Sequence, residues 1–439
     1  MLKSKFPNLQ KSILTIVIAV IGSFILMVLA YCLPTQRIRN NVHKDHDRLE
    51  AEGTYYQWKE GYKSNQADGY TDASLYMNAM YEGGESVVQD AMNTPRYLYE
   101  DNDDNWTSML KYAAGDPLGD SAVIIDYGRY WHGSVVFLKV LLQVMSVMQL
   151  RILGAATEIL LTVLCIFFFC KRGYYKHLLG FVTGLVLLNP VTMITCFCFS
   201  VEYILMLAAT LFVLRNHEKM EEKNAYAYFF LIVGLVTEFL NELSFPMITF
   251  AFPVLVYLIL SKKDPMTRFK NLILYGINWV AGYGILWGSK WVYGEVLTDN
   301  PFLSNAFMTV NVYTLDYVER DATNPGVIAR IMRNLKVYMN LPFLVIGVFV
   351  IALLVAIILL ERKRASGENE NKLYFYDAFP ILIMILFPFA IWIALGSGYS
   401  YMHYWMTHRL LAIAGFAFVS GILVVFDKKN SGNNKHEVK

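Results

Sequence analysis

Apolar residues in this chain come in long unbroken runs, not in the alternation that marks a half-buried strand or an amphipathic surface helix. A run of about 20 apolar residues matches the hydrocarbon core of a bilayer. The first runs from Ser12 to Leu33, behind Lys3, Lys5 and Lys11. It is longer than a signal-peptide core and lacks a small-residue cleavage site, so a retained helix is expected. Ile152 to Cys170 is the next, closed by Lys171 and Arg172. A pair of shorter runs follows, Leu178 to Asn189 and Val201 to Leu214, parted by Pro190, and reads as a re-entrant or tilted hairpin. Beyond them come Tyr226 to Leu240, Pro246 to Leu260, Leu272 to Trp287, Pro342 to Leu360, Phe379 to Leu395 and Leu410 to Phe426. The pattern predicts an all-α polytopic membrane protein, one domain over 1–439, with about ten transmembrane helices.

Composition agrees. The chain is 56% hydrophobic and 17% charged, against about 25% charged in a soluble domain, which argues against a soluble enzyme. A net charge of +2 over 439 residues gives no reason to expect a nucleic-acid partner. More than half of the Lys and Arg flank the ends that this topology places inside, and the short outer turns carry none. By the positive-inside rule both termini are then cytoplasmic, in a plasma membrane whose source is expected to be bacterial. The five cysteines lie inside apolar stretches, with neither a disulfide framework nor zinc-ligand spacing. Walker, dinucleotide, HExxH and GxSxG motifs are missing, which disfavours an ATP-driven pump, a zincin and an α/β-hydrolase.

Two polar segments are expected outside. In residues 34–133 acidic side chains outnumber basic ones, and the cluster Tyr55, Tyr56, Trp58 and Tyr62 argues for an ordered subdomain, because disordered segments are poor in aromatics. Residues 134–150 read as an amphipathic helix at the interface. Residues 291–341 form a second outer loop.

Four stretches carry candidate chemistry. Asp68-Gly69-Tyr70-Thr71-Asp72 opens a helical stretch; Thr71 and Asp72 make a good N-cap, and Asp72, with Asp68 behind it, could equally take a proton from a sugar or lipid hydroxyl. Asp45 and Asp47 are rivals in a more solvated setting. Arg129 and His132, beside Tyr130 and Trp131, could hold a lipid phosphate or anchor an aromatic belt. Glu238, Asn241 and Glu242, at i, i+3 and i+4, would share one helical face at membrane depth, and Glu202 stands similarly in its own run. His403, His408 and Arg409 bring cationic or switchable groups to the last outer turn. The two histidines, at i and i+5, share no helical face, so phosphate binding is the better use and no metal ligand is assigned. A buried Arg409 needs an anion or carbonyl partner, for which Glu238 and Glu242 are candidates.

On these residues the chain resembles the GT-C superfamily of membrane glycosyltransferases, and more narrowly uncharacterised bacterial GT-C-like proteins. The resemblance is carried by Thr71-Asp72-Ala73-Ser74-Leu75, Arg129-Tyr130-Trp131-His132-Gly133, Gly234 to Pro246, Gly282-Tyr283 with Trp287 and Lys290-Trp291, and His403 to Arg409. It implies a GT-C-like fold and transfer of a sugar from a polyprenyl-phosphate-linked donor to a glycan, lipid or protein acceptor on the outer face. Asp72 or Asp68 would serve as base, and Arg129, His132, His403 and Arg409 would bind the donor phosphate. The resemblance leaves room for a divalent metal but assigns it no ligand. Many GT-C enzymes place an acidic pair soon after the first helix, whereas Asp72 lies far beyond Pro34. The competing readings are a transporter or lipid-sugar flippase working through Glu202, Glu238 and Glu242, and a non-catalytic envelope-assembly partner on the same scaffold. A transporter has no need of the long acidic, aromatic outer segment, whereas an assembly partner would be favoured if that segment were essential while no single acid was.

Overall fold

The computed structural model describes residues 7–84, 86–100, 103–314, 325–364 and 373–426. Lys3 and Lys5, used above to orient the chain, and the C-terminal Lys428, Lys429, Lys435 and Lys439, counted there among the inner basic residues, lie outside the described residues. The chain is mostly helical. After α1 (Pro7–Tyr31) the polar segment folds into α2 (Gln36–His43), α3 (His46–Glu52), α4 (Gly69–Met80), α5 (Val87–Asn93), strand β1 (Arg96–Leu98), α6 (Asn105–Ala114) and β2 (Val123–Ile125). The strands pair antiparallel, Tyr97 opposite Ile124. Then come α7 (Ser134–Leu141), α8 (Val147–Lys171), α9 (Leu178–Leu188), α10 (Pro190–Thr195), α11 (Phe197–Glu222), α12 (Tyr226–Leu240), α13 (Ile248–Leu260) and α14 (Pro265–Leu297). The chain continues through α15 (Phe302–Thr314), α16 (Val327–Lys336), α17 (Leu341–Arg364), α18 (Phe375–Leu382), α19 (Phe387–Ala394), α20 (Gly396–Ser400), α21 (Tyr404–Thr407) and α22 (Leu411–Val425).

Among the described residues six helical segments are long and apolar enough to cross a membrane: Leu9–Tyr31, Val147–Lys171, Phe197–Glu222, Leu341–Lys363, Phe375–Ala394 and Tyr404–Val425. The expected ten is therefore corrected. Tyr175–Leu188, Tyr226–Leu240 and Ile248–Leu260 are apolar but short; at 1.5 Å per residue the 15 residues of α12 rise only about 22 Å, against a hydrocarbon core of about 30 Å. The stretch Leu272–Trp287 lies inside a helix long enough to span, but Asn278, Gly276, Gly282 and Gly284 and the Tyr and Trp side chains dilute its apolar character. One expected half-span proves full: Val201–Leu214 lies within α11, which runs for 26 residues. Residues 134–150 are not one helix either. Helix α7 stops at Leu141, and α8 begins at Val147 behind a capping box in which Ser146 and Gln149 bond each other's backbone N–H groups.

The described residues of 34–133, called the subdomain below, carry five short α-helices and a two-stranded sheet. Its core is α4, a helix of small and apolar residues buried along nearly its whole length, packed on α2, α6 and α7. Trp106 on α6 donates its indole N–H to the Leu49 carbonyl at 2.9 Å, and Asn78 donates to the Thr94 and Pro95 carbonyls at 2.8 and 2.9 Å. Asp45 ties the subdomain to the bundle by accepting the Met148 N–H at 2.8 Å, at the orphan-donor end of α8; Asp47 stands in solvent.

The tightest helix pair in the bundle is α12 against α14, where two glycines remove the bulk between the backbones. A Cβ on Gly234 would lie 2.1 Å from the Trp279 carbonyl oxygen, and one on Gly282 would lie 2.2 Å from that of Leu231. Gly284 and Gly288, on the same helix, have open space. Gly234→Ala and Gly282→Ala should each cost about 1–3 kcal/mol by forcing the helices apart. Gly284→Ala and Gly288→Ala should be neutral or stabilising, since helical glycine is poorer than alanine by about 1 kcal/mol. Thermal unfolding of the four variants in detergent checks this; equal losses in all four would mean that the close approach does not matter.

Candidate functional site

The site forms where the subdomain meets the helix ends of the bundle. Asp68, not Thr71 or Asp72, is the N-cap of α4: its carboxylate accepts the Thr71 N–H at 3.2 Å and the Thr71 hydroxyl at 2.8 Å. Asp72, one turn later, reaches away from α4 altogether. It accepts the N–H groups of Phe197 at 2.7 Å and Cys198 at 2.9 Å, the first donors of α11. The residue at the head of α11, Cys196, supplies no side-chain cap of its own. Burial pushes the Asp72 carboxyl up to about 6, against those two N–H bonds, which favour the carboxylate. The Cys196 thiol accepts the Asp68 N–H at 3.3 Å. Asn189, held at φ 61° at the end of α9, donates to the Ser64 carbonyl and the Asn65 amide oxygen at 3.1 and 2.7 Å.

Behind this seam lies a cavity of about 310 Å³. Its walls come from separate segments: Tyr55 and Tyr70 from the subdomain, Tyr127 and Tyr130 from the loop between β2 and α7, Tyr399 and Trp405 from the short helices α20 and α21. Asp68, Thr71, Glu242 and His403 supply the polar groups. Glu242 accepts the Ser134 hydroxyl at 3.1 Å and faces His132 Nδ1 at 3.4 Å, while His132 Nε2 bonds the Tyr127 carbonyl at 2.8 Å. His403 Nδ1 lies 2.9 Å from the Gly398 carbonyl. Burial raises Asp68, opposed by the Thr71 bonds and by the nearby His403 and Arg409. Burial lowers His403, opposed by its bond to Gly398 and by Asp68.

Of the residues singled out in sequence, Asp68, Glu242 and His403 line the cavity and His132 backs Glu242. Arg129, between Tyr127 and Tyr130 in sequence, is not among the residues lining the cavity; its guanidinium lies 4.8 Å from the Tyr127 ring centre, while its carbonyl accepts the Trp287 and Trp291 indole N–H groups. Arg409 is not brought to the cavity. Fully buried, it donates to the carbonyls of Trp405, Ser64 and Gln66, so the carboxylate partners expected for it, Glu238 and Glu242, are not hydrogen-bonded to it. Nor do Glu238, Asn241 and Glu242 share a helical face, because α12 ends at Leu240. Asn241 caps its own turn by accepting the Leu243 N–H, and Leu243 sits at φ 62°. Glu238 stays in the helix beside the Tyr283 hydroxyl, and Glu202 accepts the Phe245 N–H. Neither lines the cavity. His408 bonds the Tyr404 carbonyl and packs on Tyr338.

Sequence reasoning missed two features. Arg151, at the start of α8, pairs with Glu52 at 2.8 and 3.0 Å and lines an apolar groove of about 310 Å³ between α7, α8 and α11. Its charge at the head of an apolar run was the available signal. Cys196 and Cys198 meet Asp72 at the seam, a convergence that no local signal could give.

Chemically, the cavity offers two carboxylates able to accept a proton, aromatic faces of the kind that pack against sugar rings, and a histidine held largely neutral. His403 also dictates a pH effect. With its folded pKa below the unfolded value of about 6.5, the unfolded chain binds more protons in that window, so stability falls as pH drops below about 6.5. His403→Gln should flatten the decline in melting temperature between about pH 6.5 and 5; an unchanged slope would mean that His403 does not titrate as its burial requires. Searches with the chain returned no matching family model, curated protein or solved structure.

Proposed function

We propose that the chain is a membrane glycosyltransferase that moves a sugar from a polyprenyl-phosphate-linked donor to a cell-envelope acceptor, at the end of the bundle carrying the 34–133 subdomain. On this proposal that end faces outward. The observation that carries it is the cavity in which Asp68 and Glu242 stand among Tyr55, Tyr70, Tyr127, Tyr130, Tyr399 and Trp405. Within the proposal the base is Asp68 rather than Asp72, because Asp68 lines the cavity while Asp72 is turned to the head of α11. A carboxyl raised by burial is a stronger base than an exposed one. It accepts the acceptor hydroxyl proton as the oxygen attacks the sugar C1, and the bond to the polyprenyl phosphate breaks in the same displacement. The proposal gives the departing phosphate to Arg129, which stacks on the lining Tyr127, with His403 at the cavity wall. The groove lined by Phe137, Leu141, Leu150, Leu153, Ile204 and Leu205 is apolar enough for a prenyl chain, and Arg151 lines it too.

The test is thermal stability of the detergent-solubilised protein against polyprenyl monophosphate, followed by transfer from a labelled polyprenyl-phosphate sugar. A specific ligand stabilises by RT ln(1 + [L]/Kd), about 2.7 kcal/mol at a hundredfold excess over Kd. Arg129→Ala should weaken that stabilisation by at least about tenfold in Kd, the order of one charge-assisted hydrogen bond. Asp68→Asn should keep the stabilisation and lose transfer. No saturable shift, or full turnover in Asp68→Asn, would overturn the reading.

A further inference from the structure

Where α4 meets the first turn of α11, metal-ligating atoms of Asp72, Cys196 and Cys198 all lie within 4.8 Å of one another, and all three residues are buried. The two sulfurs are 3.5 Å apart, and Cys196 Sγ is 3.8 Å from Asp72 Oδ1. A disulfide would need about 2.05 Å, and both cysteines are free. A tetrahedral cation with bonds of about 2.3 Å to sulfur and about 2.1 Å to oxygen holds its sulfurs about 3.8 Å apart and sulfur and oxygen about 3.6 Å apart. The sulfur–sulfur and Cys196–Asp72 distances therefore already match ligand spacing to within a few tenths of an ångström. We propose that Asp72, Cys196 and Cys198 bind a thiophilic divalent cation of the zinc class, which locks the subdomain onto the bundle.

Capping alone accounts for Asp72 but not for two thiols gathered around its carboxylate. The charges around the seam suit the bound state. Two thiolates and a carboxylate about one dication carry a net charge of −1, and binding releases the two thiol protons. The first turn of α11, whose N–H groups point at Asp72, favours that anion. So does Arg409, close enough to act on both sulfurs. Its guanidinium is buried against carbonyls, and its Nε has no hydrogen-bond partner among the described residues. The Phe197 and Cys198 N–H bonds then orient the ligating carboxylate, as outer-shell donors do in metal sites. Because Asp68 donates its N–H to Cys196, the cation would also fix the cavity wall one turn away. Three protein donors leave the fourth tetrahedral position to a water.

Full-length protein, stripped with a chelator and titrated with Co²⁺, should take up one ion per chain. It should show a sulfur-to-cobalt charge-transfer band in the near ultraviolet and the visible bands of a tetrahedral site, all displaced by Zn²⁺. Cys196→Ser and Cys198→Ser should each weaken uptake by at least about tenfold, while Cys165→Ser, at a buried thiol elsewhere, should leave it intact. Should the seam variants fail to fold, the wild type decides by itself: Zn²⁺ must slow alkylation of Cys196 and Cys198 and raise the melting temperature. The proposal is overturned by the absence of a charge-transfer band in the wild type, or by a band that survives loss of both thiols. It is equally overturned by a Cys196–Cys198 disulfide, read as the loss of two hydrogens in the peptide mass, in protein that takes up no metal.

Discussion

A helix that begins inside a protein must find acceptors for its first N–H groups, and α11 begins with a cysteine, which is a poor one. The carboxylate that answers this need comes from Asp72, 125 residues earlier in sequence. It accepts two of the orphan donors at once, in a setting where a lost partner leaves a buried group costing about 1–3 kcal/mol. The same contact attaches the acidic segment to the apolar one. With Asp72 fixed, α4 is set against α11, Asp68 is set at the head of α4, and the cavity acquires one wall. The residue most easily read as catalytic in sequence is thus occupied in holding the seam together, and it is its neighbour one turn before, Asp68, that lines the cavity.

Buried cations follow a related rule. Lys139 donates to the Ala79 carbonyl near the end of α4. Lys290 donates to Ala91 and Met92 at the end of α5, and Arg268 to Leu258 near the end of α13. The last carbonyls of a helix have no partner within it and carry the negative end of its dipole. A basic side chain supplied from another element satisfies both. Arg409 does the same for the loop at 64–66. In a chain with few buried acids beside its basic groups, these carbonyls serve as counter-charges, which is why sequence position alone overstates how many basic residues are available to an anionic ligand.

The legible part of the fold is the local part. Hydropathy runs located most of the long helices, and Pro190 marked a real break after α9. Errors arose where a property of the whole helix or a distant contact decides. Leu272–Trp287 belongs to a long helix whose Asn, Gly and aromatic content thins its apolar character. The face expected from Glu238, Asn241 and Glu242 fails because an Asn side chain turns the backbone one residue after α12. Asp68 and His403 were visible as polar groups in suggestive places, but the cavity that joins them depends on contacts far apart in sequence, such as Arg409 with Ser64 at a separation of 345 residues. No pattern in a single sequence records such a closure.

The cavity has no single owner. Its walls belong to the subdomain, to the loop before α7, to the turn after α12 and to the segment before α22, and each is positioned by contacts of a different kind. Any ligand that touches several of these walls binds only the docked arrangement, so its binding free energy is added to the docking of the subdomain on the bundle. The converse also holds, because linkage is reciprocal: whatever strengthens the Asp72 seam raises the fraction of molecules in which the cavity is complete, and with it the apparent affinity. The seam and the cavity are therefore one thermodynamic unit, although only the cavity-lining residues would touch a substrate.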